Sequence, residues 1–216
     1  MSQTAKTLRR VSFSSPLVNN LIRYVLMILL ALLLFGIILL VTGEDPIQSY
    51  RDMFAATLGS AYGFSEVLVA MIPMLITALA VALPARLGLI NVGGEGQLYI
   101  GAAFATWGAL TFKDQPAWIL LPLMTVLGMI GGALWAFIPG YLKSIGLVNE
   151  TITTLLMNSI APNIVGFLIF GFWHSPMDTV KTDNFVSAAR LPTFFNTRVH
   201  LGMVFALILL FYSGSS

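Results

Sequence analysis

Cysteine is absent from the 216 residues, and histidine occurs only at His174 and His200. The first absence excludes disulfides, thiolate metal sites and cysteine nucleophiles; the second leaves too few imidazoles for a clustered metal centre. Charge is scarce too, with Asp, Glu, Lys and Arg at 9% of the chain, against roughly 25% in soluble domains. No GxxxxGKS or GxxxxGKT run occurs, so the chain carries no nucleotide-binding P-loop, and no GxSxG elbow or HExxH pair points to an enzyme. No residue pattern calls for a cofactor or a metal ion. The net charge of +2 and pI near 9.0 come from basic residues scattered between apolar runs, not from a basic patch with interleaved aromatics, which argues against a nucleic-acid surface.

What is abundant is apolar sequence. Hydrophobic residues make up 57% of the chain and the mean hydropathy is +0.89, too apolar to cover a water-facing surface. Several runs approach the roughly 20 residues that cross a bilayer as a helix. An all-α, polytopic transmembrane bundle of about six segments follows, with residues 1–216 expected to form a single transmembrane domain in contact with membrane lipid.

The first run, Leu21 to Val41, exceeds the apolar core of a signal peptide and reads as a retained helix. An acidic loop (Glu44, Asp45, Asp52) leads to a second run, Val67 to Leu83, closed by Pro84-Ala85-Arg86. A third segment starts at Leu87, is interrupted by Asn91-Val92-Gly93-Gly94-Glu95-Gly96-Gln97, and resumes from Leu98 to Phe112. The fourth run is Ala117 to Leu142, the fifth Thr151 to Trp173, and the sixth runs from near Val199 to Tyr212. With the N-terminus in the cytoplasm, six crossings place Lys6, Arg9, Arg10, Arg23, Arg86 and Lys143 inside. The acids Glu44, Asp45, Asp52, Glu66, Asp114, Asp178 and Asp183 fall outside, together with five basic residues. Outside the two polar motifs the cytoplasmic side holds no acid, which favours an N-in orientation. Trp107, Trp118, Tyr24 and Tyr141 sit at segment ends, where interfacial aromatics belong.

Two polar stretches stand out in this apolar context. Glu95 follows paired glycines inside membrane-length sequence, where an ionised carboxylate costs a few kcal/mol or more. A broken or re-entrant helix whose backbone lines a hydrated cavity with Asn91, Glu95 and Gln97 would explain it. A role in helix packing belongs with that reading, and a surface loop near Arg86 is the plainer alternative, since two helical turns reach only about 12 Å deep. In the second stretch, Glu150, Thr154 and Asn158 are spaced by four and share a helical face, which Pro162 and Gly166 continue. Asn149 suits an N-cap, with Glu150 favourable at the positive end of the helix dipole. Asn158 fits either a pathway lining or an interhelical hydrogen bond. Gly128 and Gly132 form a GxxxG suited to close helix packing.

The segment Leu89-Ile90-Asn91-Val92-Gly93-Gly94-Glu95-Gly96-Gln97-Leu98 resembles a signature of permease subunits in bacterial nucleoside and simple-sugar ABC importers. Val148-Asn149-Glu150-Thr151-Ile152-Thr153-Thr154-Leu155-Leu156-Met157-Asn158 is similar to the same family's second signature, with Thr151 where valine is commoner. The resemblance runs from about Leu21 to Leu210, and family members are longer, so the chain is expected to be an N-terminal portion of such a permease. It implies a multi-pass protein of the bacterial cytoplasmic (inner) membrane. The implied partners are a separate ABC ATPase subunit, a second permease subunit and an extracytoplasmic solute-binding protein or lipoprotein. The implied solutes are nucleosides or related small polar molecules. The implied site residues are Asn91, Gly93, Gly94, Glu95, Gly96, Gln97, Asn149, Glu150, Thr154 and Asn158, shaping the pathway or its packing. An ion-coupled secondary transporter, which also uses broken helices and intramembrane carboxylates, is the alternative, and a non-transporting membrane scaffold is a third reading.

Overall fold

A computed structural model describes residues 16–175, 181–194 and 196–215. Lys6, Arg9, Arg10 and Asp178 of the charge argument lie outside the described residues. The described residues form α1 (Pro16–Thr42), α2 (Pro46–Leu58), α3 (Ala61–Arg86), α4 (Gly94–Thr111), α5 (Ala117–Ser144), α6 (Glu150–Phe170) and α7 (Leu201–Ser215), with a 3-10 turn at Ser187–Ala189. Among them, α1, α3, α5 and α6 are long and apolar enough to cross a membrane. α4, at 18 residues, is about 27 Å long, close to the hydrocarbon thickness of about 30 Å. The chain is therefore a polytopic helical membrane protein. Large apolar side chains such as Leu33, Met129, Phe137 and Phe167 face outward, which is tolerable where the surroundings are hydrocarbon.

The chain divides into two compact units, one ending at Ser60 and one starting at Ala61. In the first, α1 and α2 form a helical hairpin. Residues 44–52, an acidic loop by sequence, are largely helical here: α2 begins at Pro46, because Asp45 caps it by accepting the amides of Ile47 (2.8 Å) and Gln48 (3.2 Å). The Tyr50 hydroxyl donates to the Leu32 carbonyl, beside the buried Gly36 of α1.

The second unit alternates direction from α3 to α7. One end gathers the start of α3, the end of α4, the start of α5, the end of α6 and the start of α7. There Ala109, Leu120 and Ala189 form a small core with Phe185 and Val186, and Arg198 pairs with Glu66 at 2.9 Å. In mid-helix, Ile72 of α3 packs on Met203 and Ala206 of α7. α4 and α5 approach so closely that a Cβ on Gly101 would lie 2.8 Å from the Gly128 carbonyl oxygen. The GxxxG thus serves packing within the bundle. The opposite end holds the end of α3, the start of α4, the end of α5 and the start of α6. Both incoming helices stop there in a left-handed glycine, Gly88 (φ +73°) after α3 and Gly146 (φ +71°) after α5. In each case the following amide returns to the helix, Leu89 to Pro84 and Leu147 to Leu142.

Candidate functional site at the start of α4

The interruption around Asn91 to Gln97 takes a definite form. Residues 87–93 are a non-helical connection, and α4 begins at Gly94, so Glu95, Gly96 and Gln97 already lie in its first turns. A helix start leaves its first amides unpaired, and the N-cap here, Gly93, has no side chain with which to accept them. The other motif does this from outside. Asn158, on α6, accepts the Gly96 amide on Oδ1 at 2.7 Å and donates from Nδ2 to the Val92 carbonyl at 2.6 Å. One turn earlier, the buried Thr154 accepts the Val92 amide on Oγ1 at 3.2 Å while donating to the Glu150 carbonyl at 2.9 Å. Two residues of one helix thus supply the cap of another.

Asn91 closes the connection from the α3 side. Its Nδ2 donates to the Ala80 carbonyl at 2.9 Å, and its Oδ1 accepts the Gly93 amide at 2.9 Å and the Gln97 side-chain amide at 3.3 Å. The glycines make this proximity possible. A Cβ on Gly93 would meet Thr154 Cβ at 3.2 Å, and one on Gly94 would meet the Thr77 carbonyl oxygen at 3.2 Å. On Gly96 it would meet Trp135 Nε1 at 2.9 Å, Asn158 Oδ1 at 3.0 Å and the Met157 carbonyl at 3.1 Å. The indole N–H of Trp135, from α5, is buried there with no hydrogen-bond partner among the described residues.

Asn149 and Glu150 stand at the edge of this joint. Asn149 caps its own helix, accepting the Ile152 amide at 3.2 Å. Glu150, largely buried, forms an ion pair with Lys143 at the end of α5. So eight of the ten motif residues, Asn91, Gly93, Gly94, Gly96, Gln97, Glu150, Thr154 and Asn158, engage other helices or each other across the connections. Asn149 acts within α6, and Glu95 is exposed on the first turn of α4, where the helix dipole favours its charge. The polar stripe of α6 therefore turns inward onto protein backbone. Sequence spacing showed the stripe; it did not show that its partners lie 62 and 66 residues away in the Gly-rich motif, nor that Trp135 joins them. Among the described residues no group of three or more His, Asp or Glu is placed to hold a metal ion.

The chain is similar in sequence to three ABC transporter permeases. The chain is 42% identical over 166 residues to a glucose ABC transporter permease protein of Haloferax volcanii, covering 77% of this chain and 42% of that protein. It is 35% identical over 206 residues to a nucleoside ABC transporter permease protein of Lactococcus lactis, covering 89% and 57%. With a guanosine ABC transporter permease protein of Bacillus subtilis it shares 34% identity over 196 residues, covering 88% and 56%. The chain thus spans about half the length of the curated relatives it matches. No solved structure is significantly similar to it. Residues 63–213, which include both motifs and all of the joint, match the model of the branched-chain amino acid transport system permease component, and the chain belongs to that permease family.

Proposed function

We propose that the chain is a transmembrane permease subunit of an ATP-driven importer of nucleosides or related small polar solutes and forms part of the translocation pathway. The observation that carries this reading is the joint itself: both family-type motifs meet at one end of the bundle and tie α3, α4, α5 and α6 together. Alternating access requires that helices move as blocks between states with different contacts. A block needs a rigid end, and hydrogen-bonded backbone at the start of α4 supplies one. Arg86 and Lys143 stand at this end, and the positive-inside rule supports a cytoplasmic location for it; the same rule, applied to the basic residues that precede the first apolar run, supports a cytoplasmic N-terminus. That is the side on which a separate ATPase subunit would push. Glu95 then faces a hydrated cytoplasmic vestibule or a second permease subunit, and solute delivered by an extracytoplasmic binding protein enters from the opposite end. Hydrolysis belongs to the ATPase partner, not to this chain.

The test is uptake by the permease together with its ATPase and binding-protein partners in a host lacking the system. Nucleoside uptake that stops on ATPase inhibition and ignores proton and sodium gradients supports the reading. Uptake that follows an ion gradient instead would refute it in favour of a secondary transporter.

A further inference from the structure

The first unit holds a helix, α2, with two unlike faces. Ile47, Phe54 and Leu58 fall within about 40° of one another around its axis, with Tyr50 and Met53 flanking them. Gln48 and Asp52 lie away from that face and share a hydrogen bond of 3.0 Å, and Arg51 stands between the two sides. The apolar face is uncovered: Ile47 is 75% exposed, Phe54 54% and Leu58 60%. α1 fixes the depth at which this face lies. A Cβ on Gly36 would lie 3.7 Å from Pro46 Cβ and 3.5 Å from the Tyr50 hydroxyl, which donates to the Leu32 carbonyl. Gly36 stands six residues, about 9 Å, before Thr42 at the end of α1. When the 27 residues of α1, about 40 Å, are centred in a hydrocarbon core of about 30 Å, about 5 Å of that stretch projects beyond it, so α2 starts about 4 Å inside the boundary. It does not follow α1 deeper. The α1 side chains from Val25 to Leu30 are exposed, so α2 leaves its neighbour after its first turns.

We propose that α2 lies along the membrane–water interface as a lipid-binding helix, with Ile47, Phe54 and Leu58 dipping among the acyl chains of the leaflet in which α1 ends and Gln48 and Asp52 turned to water. In the orientation proposed above this is the outer leaflet, and the inference does not depend on what the chain transports. Lipid covers the apolar face because that face opens at hydrocarbon depth and adjoins the lipid-facing surface of α1. Amphipathic helices of this kind bury their apolar side about 5–10 Å into the boundary between headgroups and chains, which agrees with a start about 4 Å inside it. Arg51, exposed at the edge of the face, lays its aliphatic stem on the apolar side and lifts its guanidinium to the lipid phosphates. The acids Glu44, Asp45 and Asp52 oppose an anionic headgroup, so a zwitterionic phospholipid is the partner that fits.

The experiment embeds the full chain in phosphatidylcholine nanodiscs, with a nitrobenzoxadiazole fluorophore on a single cysteine in Phe54→Cys, Leu58→Cys, Gln48→Cys or Asp52→Cys. Quenching is read with lipids brominated near the headgroup, with lipids brominated near the chain end, and with aqueous iodide. At positions 54 and 58 the shallow bromines should quench roughly threefold more than the deep ones, and iodide roughly threefold less than at positions 48 and 52. Ile47→Cys, on the same face, replaces either apolar variant that fails to fold. Iodide quenching at 54 and 58 equal to that at 48 and 52 would put the face in water and overturn the proposal. Protection of 54 and 58 from all three quenchers would put the face against protein, a neighbouring helix or a second subunit, and would overturn it too. Stronger quenching from the chain ends than from the headgroup region would make α2 a re-entrant helix, not an interfacial one.

Discussion

Replacing Asn158 by leucine removes the two hydrogen bonds that cap α4 from α6 and keeps a side chain of similar reach. The Gly96 amide loses its acceptor at 2.7 Å and the Val92 carbonyl its donor at 2.6 Å. Interhelical hydrogen bonds in membrane bundles average about 0.6 kcal/mol and reach about 1.7. Loss of a helix N-cap costs about 1 kcal/mol, and a buried polar group left unsatisfied costs about 1–3 kcal/mol. The Gly96 amide answers to both descriptions, so adding the two figures would count it twice. The expected loss is about 2 kcal/mol, roughly a thirtyfold change in the unfolding equilibrium. Asn158→Asp keeps the acceptor for Gly96, but its ionised carboxylate sets an oxygen against the Val92 carbonyl where the amide donated, so a loss at least as large as in the leucine variant is expected. Reversible unfolding in mixed micelles measures both. A single cysteine at position 92 of this cysteine-free chain gives an independent readout, because thiol labelling there should accelerate in the leucine variant. Stability within about 0.3 kcal/mol of wild type, with unchanged labelling, would show that the cap from α6 contributes nothing and that the joint is not rigid.

Gly96→Ala should destabilise by about 1–3 kcal/mol, since its methyl meets Trp135 Nε1, Asn158 Oδ1 and the Met157 carbonyl at about 3 Å; a melting temperature equal to wild type would contradict the packing. Single cysteines at positions 86 and 143 should react with an impermeant thiol reagent only in inverted vesicles and one at position 114 only in intact cells, and the opposite pattern would reverse the proposed orientation. Glu95→Gln in the complete transporter should retain much more uptake than Glu95→Leu, because an exposed residue at a helix start is required here for polarity and not for cycling a proton. Equal and complete loss in both, with normal expression, would point to an essential charge and to ion coupling.

The membrane class of this protein is determined by its sequence alone, because hydrocarbon demands long apolar helices whose backbone is satisfied within the segment, and that demand is local. The runs 21–41, 117–142 and 151–173 lie on or within α1, α5 and close to α6 for this reason, and the two polar motifs are conspicuous against an apolar background. α2 was equally local, since Asp45 before Pro46 is a helix-start signal, but the acids around it read more readily as a loop. Spacing also put Glu150, Thr154 and Asn158 on one face. Only the tertiary structure decided what that face meets. Whether a membrane amide lines a pathway or caps a neighbouring helix depends on partners far away in the chain, and a side-chain period carries no information about them. The same limit hid the ion pair of Glu66 with Arg198, 132 residues apart, and the return of residues 181–190 over the ends of α4 and α6. Gly93, Gly94 and Gly96 show the division most clearly. The sequence marks them as a place where backbone is bare, and the fold fills that space with Thr154, Thr77 and Trp135, because the missing Cβ atoms let α3, α5 and α6 come close enough to the start of α4 for Thr154 and Asn158 to bond the backbone there.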